Sequence, residues 1–211
     1  ASDVYKRQVQ GVTKLKKAEH EIISDRIVAG TYIIAALMLN SDLEINNFNT
    51  IYLKSLIDIL KKMGAKLKVS KNSIKVFKGS KLKSTSLSTS PYPGFPTDLQ
   101  AQLMSLMCIS DGKSKIKETI FENRFMHVPE LNRLGANITV EKDTATIIGN
   151  QTFKGAQVMA SDLRASISLV LAAMNANGQT TLNRVYHLDR GYENIEKTLG
   201  SLGAKIKRQK N

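Results

Sequence analysis

Cysteine, tryptophan and proline are scarce in this sequence of 211 residues, which has one cysteine, no tryptophan and four prolines. A single cysteine excludes an internal disulfide framework and a cysteine-based zinc cluster, and it fits a reducing cytosol. That residue, Cys108, lies in an apolar segment and is predicted to be buried. The histidines His20, His127 and His187 have no metal-ligand spacing with one another or with carboxylates. We therefore expect no metal site and no cofactor.

Long hydrophobic runs are also missing. The longest apolar stretch, residues 27–39, contains Gly30 and Thr31 and is about thirteen residues long, too short to span a bilayer. We see no apolar leader followed by a small-residue cleavage site. The sequence thus predicts neither secretion nor a membrane anchor, and we expect a cytoplasmic protein.

Basic residues outnumber acidic ones, with 31 Lys and Arg against 18 Asp and Glu and a net charge of +13. This excess suggests a polyanionic partner, and a basic nucleic-acid-binding module is one hypothesis. Against it, aromatic residues make up 6% of the chain and no strand interleaves basic with aromatic residues, so we expect no nucleic-acid partner. Most lysines are predicted to lie on solvated faces, including Lys61, Lys62, Lys66, Lys68, Lys71 and Lys75.

A helix that ends in Gly-Ala and passes into an alternating strand occurs three times, at intervals of about 70 residues. Apolar residues precede each glycine by one, four, and seven or eight positions, which is the spacing of an amphipathic helix. Gly64, Gly135 and Gly203 are predicted to take the left-handed conformation that ends a helix. The three segments are LIDILKKMGAKLKV, VPELNRLGANITV and NIEKTLGSLGAKIKR.

A second element repeats in the same phase, a Ser-Asp or Thr-Asp pair before an apolar run of helical length. The hydroxyl residue is predicted to cap the helix, with the aspartate in the first turn near the positive end of the dipole. Thr97 with Gln100 also fits a capping box. The three pairs are Ser24-Asp25, Thr97-Asp98 and Ser161-Asp162.

These repeats predict a single α/β domain of three similar units with pseudo-threefold symmetry, in which helices pack inward and sheets face outward. The units cover about residues 24–90, 91–160 and 161–211, and the third is too short to hold all its strands. Residues 9–23 resemble the end of a preceding unit or a crossover between domains. Residues 1–8 follow no pattern, and we expect them to be a non-native lead. The chain is therefore expected to be part of a longer protein.

The clearest departure from the repeat precedes Asp98, where three of the four prolines fall within PYPGFPTD. Such a composition predicts a rigid, extended loop that delivers Asp98 to a defined place. Alternatively, Asp98 only stabilises the helix dipole, as Asp25 and Asp162 do.

A second departure, FENRFMHVPEL at residues 121–131, places Glu122, Arg124 and His127 where a strand becomes a helix. The plainer interpretation of this segment is an ion pair on the helix together with a hydrogen-bonded surface histidine. A functional interpretation would place these polar side chains in a binding site.

Two arginines also lie at predicted helix starts. Arg190, in the sequence Asp189-Arg190-Gly191, is predicted to open the last helix, as an anion site or as an ordinary charged cap. Arg164 lies in a first helical turn, where a cation opposes the dipole. An anionic ligand would explain its position.

Four motifs resemble those of the enolpyruvyl transferase family, in the branch that acts on UDP-N-acetylglucosamine: PTDLQAQ, TIFENRFMHVPELNRLGA, ASDLRAS and YHLDRGYE. The resemblance runs from about residue 9 to about residue 208. It implies an inside-out α/β barrel of three repeated units, with the third unit incomplete, and it identifies residues 24–211 as the C-terminal domain. Family members have two such domains, and their first residues return to complete the second.

The family reaction moves the enolpyruvyl group of phosphoenolpyruvate onto the 3-hydroxyl of UDP-N-acetylglucosamine and releases phosphate, in peptidoglycan precursor synthesis. The resemblance implies that Asp98 contacts that hydroxyl as the catalytic base, and that the backbone of Ile120 contacts the sugar nucleotide. It also implies that Arg190 binds phosphoenolpyruvate after the domains close. Arg124, Asp162 and Arg164 match charged positions in the same cleft.

The family's reactive cysteine belongs to the other domain, and Cys108 does not match it. We therefore predict that the 211-residue chain is inactive without the missing N-terminal domain. A rival within the same fold is 5-enolpyruvylshikimate-3-phosphate synthase, which the PTDLQAQ and FENRFMHVPEL matches disfavour.

Overall fold

The computed structural model describes residues 9–209 and shows an α/β fold. Residues 1–8, for which we expect a non-native origin, lie outside the described part. The helices are α1 (Arg26–Met38), α2 (Lys54–Lys62), α3 (Gln100–Ile109), α4 (Val128–Arg133), α5 (Leu163–Asn175) and α6 (Ile195–Ser201). The strands are β1 (Leu43–Asn46), β2 (Leu67–Val69), β3 (Ser73–Val76), β4 (Leu87–Ser88), β5 (Lys113–Lys117), β6 (Asn137–Glu141), β7 (Thr144–Ile148), β8 (Gln157–Met159) and β9 (Thr181–Asn183).

The three repeated glycines end their helices in the same way, as predicted. Gly64, Gly135 and Gly203 have φ angles of 95°, 103° and 98°. In each case the glycine N–H and the following alanine N–H bond back to carbonyls of the last helical turn. This is the Schellman arrangement, which supplies partners for carbonyls that the helix leaves free.

The strands form three sheets. The sheets have the orders β1-β3-β2, β4-β5-β7-β6 and β8-β9. β4 pairs in parallel with β5, and β8 pairs in parallel with β9, whereas the remaining pairs are antiparallel. The strand that precedes α3 or α5 therefore pairs with the strand that follows that same helix.

Helices α1, α3 and α5 pack against one another at the centre of the molecule, and α1 and α3 also lie against the first two sheets. The first nine residues of α3 are all buried, because neighbours surround it on every side. Cys108, in this helix, is fully buried as predicted, and burial raises the pKa of its thiol to about 12. None of the helices within residues 9–209 has the length and apolar character needed to cross a membrane.

A second, smaller apolar cluster joins α5 to the 3-10 helix and α6 that follow it. It comprises Ile167, Val170, Leu188, Tyr192, Ile195 and Leu199. Residues 9–23 form no helix or strand and are exposed along their whole length. The six lysines predicted to face solvent, from Lys61 to Lys75, are all exposed.

Two of the repeated glycines provide a matched test of close backbone approach. A Cβ on Gly64 would lie 2.9 Å from the carbonyl oxygen of Lys81, whereas a Cβ on Gly203 would meet nothing within 4 Å. We expect Gly203→Ala to cost about 1 kcal/mol in left-handed strain and Gly64→Ala about 3 kcal/mol, because the clash adds to that strain. Urea denaturation measures both. Equal losses of unfolding free energy in the two variants would show that the backbone near Lys81 moves to accommodate the added Cβ at little cost.

Candidate functional site

Two of the repeated aspartates cap helices directly. Oδ1 of Asp25 accepts hydrogen bonds from the N–H groups of Ile27 and Val28, at 2.7 and 3.2 Å. Oδ1 of Asp162 accepts from those of Arg164 and Ala165, at 2.8 and 3.0 Å. The prediction that the preceding serines would be the caps is wrong, because each aspartate is itself the last extended residue before the helix.

Asp98 differs from the other two aspartates. It lies in a short 3-10 turn, Thr97–Leu99, and α3 begins only after that turn. The predicted capping box does not form, because the hydroxyl of Thr97 donates instead to Oε2 of Glu118 at 2.9 Å. The Asp98 carboxylate is therefore free of helix amides and can bind other groups.

Two arginines bind the same oxygen of Asp98. Nη2 of Arg124 lies 2.8 Å, and Nε of Arg164 lies 3.0 Å, from Oδ1. Both arginine side chains are mostly buried, whereas the Asp98 side chain is 40% exposed. Its Oδ2 accepts no hydrogen bond from residues 9–209. The cluster thus places one accessible carboxylate oxygen beside two guanidinium groups.

The ion pair with Asp98 explains why a positive charge, Arg164, lies at the start of a helix. Arg164 lies in the first turn of α5, where the helix dipole repels a cation. Asp98 provides an internal counter-ion, so an anionic ligand is not needed to account for the position. Asp162 caps the same helix two residues earlier and accepts a hydrogen bond from the backbone N–H of Arg164.

The segment before α4 also differs from its plainer interpretation. Arg124 pairs with Asp98 instead of Glu122, and its guanidinium lies 5.1 Å from the centre of the Phe121 ring. His127 is not a surface residue: it is 2% exposed, and its Nε2 has no partner in the described chain. Burial lowers the pKa of His127 to about 4. Arg124 therefore forms its ion pair outside the helix, and the expectation of a surface histidine is wrong, because His127 is buried.

Glu118 is a site residue that the sequence reasoning missed. It follows β5 and is 4% exposed, and its Oε1 accepts from the backbone N–H of Ile120 at 2.9 Å. This bond occupies the N–H of Ile120, so the free backbone group of that residue is its carbonyl. The alternation of β5 could have located Glu118, because Ser114 and Ile116 face inward and Glu118 continues the same parity.

Gln102 fixes the backbone of Asp98 to the core. Its Nε2 donates to the carbonyl of Asp98 at 3.0 Å and to Oγ1 of Thr31 at 3.2 Å. The Thr31 hydroxyl also bonds the Tyr192 hydroxyl at 2.8 Å. This buried chain joins α1, α3 and the segment before α6, so the position of Asp98 depends on all three elements.

Arg190 lies apart from the Asp98 cluster. It is exposed at the end of a 3-10 helix, Val185–Arg190, and forms no ion pair with the part of the chain that is described. The prediction that it opens the last helix is wrong, because α6 begins only at Ile195, after Asn194 with φ 45°. The neighbouring Asp189 accepts two hydrogen bonds from Arg208, at 2.6 and 2.9 Å.

Residues 2–199 match the model of the family described as EPSP synthase (3-phosphoshikimate 1-carboxyvinyltransferase). The chain therefore belongs to this family of enolpyruvyl transferases.

Two similar relatives are both named UDP-N-acetylglucosamine 1-carboxyvinyltransferase, which confirms the resemblance seen in the four motifs. The protein from Pelagibacter ubique is 52% identical over 201 residues, and the one from Azorhizobium caulinodans is 50% identical over 202 residues. Each alignment covers 95% of this chain but only 48% and 47% of the relative. The chain thus spans about half the length of these proteins.

Solved structures show the same fold. The enolpyruvyl transferase NikO from Streptomyces tendae matches with a TM-score of 0.82 and 30% identity, over 88% of this chain and 44% of that one. EPSP synthase from Acinetobacter baumannii matches with a TM-score of 0.70 and 16% identity, over 91% of this chain and 45% of that one. At 16% identity the second likeness concerns the fold alone.

The buried His127 predicts an acid-sensitive fold. Its pKa is near 6.5 in an unfolded chain and about 4 in the folded protein. Between these values the unfolded state binds the extra proton, so lowering the pH from 6.5 to 4 removes stability, by up to about 3 kcal/mol from this group.

We expect His127→Met to remove that part of the pH dependence, and the exposed His20→Met to leave it unchanged. Urea denaturation at pH 7 and at pH 4.5 compares the three proteins. The same pH dependence in His127→Met and in the original protein would contradict the assignment.

Proposed function

We propose that the protein containing this chain transfers the enolpyruvyl group of phosphoenolpyruvate to the 3-hydroxyl of UDP-N-acetylglucosamine, with release of phosphate. The observation that carries the proposal is the Asp98 carboxylate, held by Arg124 and Arg164 with one oxygen free. The names of the relatives at 50–52% identity support the choice of acceptor. The reaction belongs to peptidoglycan precursor synthesis in the cytoplasm, on which cell wall, cell shape and division depend.

The fold of this half is an inside-out α/β barrel of three units, with the third incomplete. Its support is the glycine cap that recurs at Gly64, Gly135 and Gly203, together with three sheets of three, four and two strands. In the longer protein the N-terminal residues return to complete the sheet of β8 and β9. The N-terminal domain supplies the other half of the cleft.

Asp98 acts as the base toward the acceptor hydroxyl. The hydroxyl oxygen bonds to C2 of phosphoenolpyruvate while its proton passes to Asp98 and a proton adds to C3, which becomes a methyl group. C3 then loses a proton as the C2–O bond to phosphate breaks, which restores the double bond and releases phosphate. The position of Asp98 matters most for the rate, because a general base accelerates the reaction fully only when it lies within hydrogen-bond reach of the proton and is correctly oriented. Arg124 and Arg164 hold Oδ1, so the free Oδ2 is the oxygen that receives the proton.

The remaining residues act on binding and on the shape of the cleft. The carbonyl of Ile120 accepts a hydrogen bond from the sugar nucleotide, since its N–H is occupied by Glu118. Arg190, exposed at the end of its 3-10 helix, binds phosphoenolpyruvate when the domains close. Guanidinium groups suit both substrates, because phosphate and carboxylate accept paired N–H donors. Asp162 caps α5 and orients Arg164.

A second candidate is 5-enolpyruvylshikimate-3-phosphate synthase, which the name of the matching family favours. It is less supported, because the relatives named UDP-N-acetylglucosamine 1-carboxyvinyltransferase are 50–52% identical over 95% of the chain. A nucleic-acid-binding function has less support still, since the exposed lysines are dispersed over the surface.

Phosphate release decides between the acceptors. We expect the full-length protein to release phosphate from phosphoenolpyruvate with UDP-N-acetylglucosamine and not with shikimate 3-phosphate. The 211-residue chain by itself is expected to release none, because half the cleft is missing. Turnover with shikimate 3-phosphate alone would establish the second candidate, and robust turnover by the isolated chain would contradict the two-domain proposal.

A substitution of the proposed base tests the site itself. In the full-length protein, Asp98→Asn keeps an acceptor oxygen for the arginines but cannot take the proton, so kcat should fall by about 10²- to 10⁴-fold. Asp58→Asn makes the same change at an exposed ion pair on α2, and kcat should stay within about twofold of the original. Steady-state kinetics with both substrates measures both. An unchanged kcat in Asp98→Asn would remove Asp98 from the mechanism.

A further inference from the structure

A buried carboxylate that forms no ion pair with any side chain of residues 9–209 lies next to the proposed site. Glu118 is 4% exposed, and burial of a charge is costly unless the group is fully hydrogen-bonded. Four neutral donors surround it. They are the hydroxyls of Thr89 and Thr97, at 2.8 and 2.9 Å, and the backbone N–H groups of Ile120 and Phe121, at 2.9 and 3.3 Å.

These donors belong to the two segments that carry the site. Thr97 is the residue before Asp98, at the end of the proline-rich loop. Ile120 and Phe121 begin the turn that leads to Arg124. One side chain therefore bonds both the segment of the proposed base and the segment of the proposed nucleotide contact.

The two carboxylate oxygens of Glu118 accept hydrogen bonds from different donors. Oε2 accepts only from Thr97 among residues 9–209, whereas Oε1 accepts from Thr89 and the two backbone amides. Thr119 adds a second link between the same segments, because its N–H and hydroxyl bond the hydroxyl and carbonyl of Thr89 at 2.9 and 2.5 Å. The bond from Thr97 is thus the part of the network that reaches Asp98.

We propose that Glu118 is a positioning residue that sets the distance between the Asp98 carboxylate and the Ile120 carbonyl. This inference rests on the proposed function, in which those two groups contact the same sugar nucleotide. If Ile120 holds the nucleotide, the position of Asp98 relative to it decides which hydroxyl of the sugar meets the base. Glu118 thereby contributes to the choice of the 3-hydroxyl without touching the substrate.

Removing the Thr97 hydroxyl tests the link with little risk to folding. In the full-length protein, Thr97→Val should lower kcat/KM for UDP-N-acetylglucosamine by about 10- to 100-fold, because small displacements of catalytic groups have effects of this size. The KM for phosphoenolpyruvate should not change. Thr97→Ser keeps the donor and should stay within about threefold of the original, as should Thr139→Val, the same change at an exposed position of β6.

Wild-type kinetics in Thr97→Val would overturn the proposal, and so would equal losses in Thr97→Val and Thr97→Ser. If the unsubstituted protein transfers nothing to UDP-N-acetylglucosamine, the proposed function fails, and amide hydrogen exchange then decides whether Glu118 positions the two segments.

Glu118→Leu should expose the N–H groups of Ile120 and Phe121 to exchange. Glu118→Gln should retain their protection, since its amide oxygen accepts from them and its NH₂ can donate to Thr97. Equal protection in Glu118→Leu and the original would reject the positioning role.

Discussion

The ion pairs of Asp98 with Arg124 and Arg164 are the interaction on which the arrangement of the site depends. A carboxylate at a helix start can bond the free amides of the first turn or bind a cation, and these partners compete for it. Asp25 and Asp162 bond amides, so they stabilise their helices. At Asp98 the 3-10 turn intervenes, and the carboxylate binds two guanidiniums. This pairing also gives Arg164 a counter-ion at a helix start and joins the start of α5 to the turn before α3.

Buried groups of the packed helices and of the second sheet hold Asp98 in place. Helices α1, α3 and α5 form a packed centre, and the buried polar chain through Gln102 fixes the backbone of Asp98 to it. Glu118 performs the same task from the side of the second sheet. Because each of these polar groups is buried, a displaced partner would leave an unsatisfied donor or acceptor, which is costly. The geometry of the exposed Asp98 oxygen is thereby determined by groups that solvent does not reach.

Much of the fold followed from local patterns in the chain. The three Gly-Ala helix ends, the strand after each central helix and the burial of Cys108 agree with the structure, because they depend on periodicity and on the left-handed conformation of glycine. Asp98, Arg124 and Arg164 were also selected as charged departures from a repeat. The errors concern surroundings: an ion pair was expected on the helix, whereas Arg124 binds Asp98, and His127 was expected at the surface but is buried. Residues far apart in the chain supply the true neighbours, and spacing along one helix contains no information about them.

The sequence by itself determined the three Gly-Ala helix ends, the family and the residues that depart from the repeat, but the strand predicted after Gly203 is wrong for the described residues, which form none between 204 and 209. These features are local, since glycine conformation, apolar periodicity and short motifs are each contained within a few neighbouring residues. The tertiary structure alone decided which carboxylate caps a helix and which binds arginine, that His127 is buried, and that Glu118 connects Thr97 to Ile120. Those outcomes depend on competition among donors and acceptors that packing brings together. Which partner each group binds is decided by distances that exist only after the chain has folded.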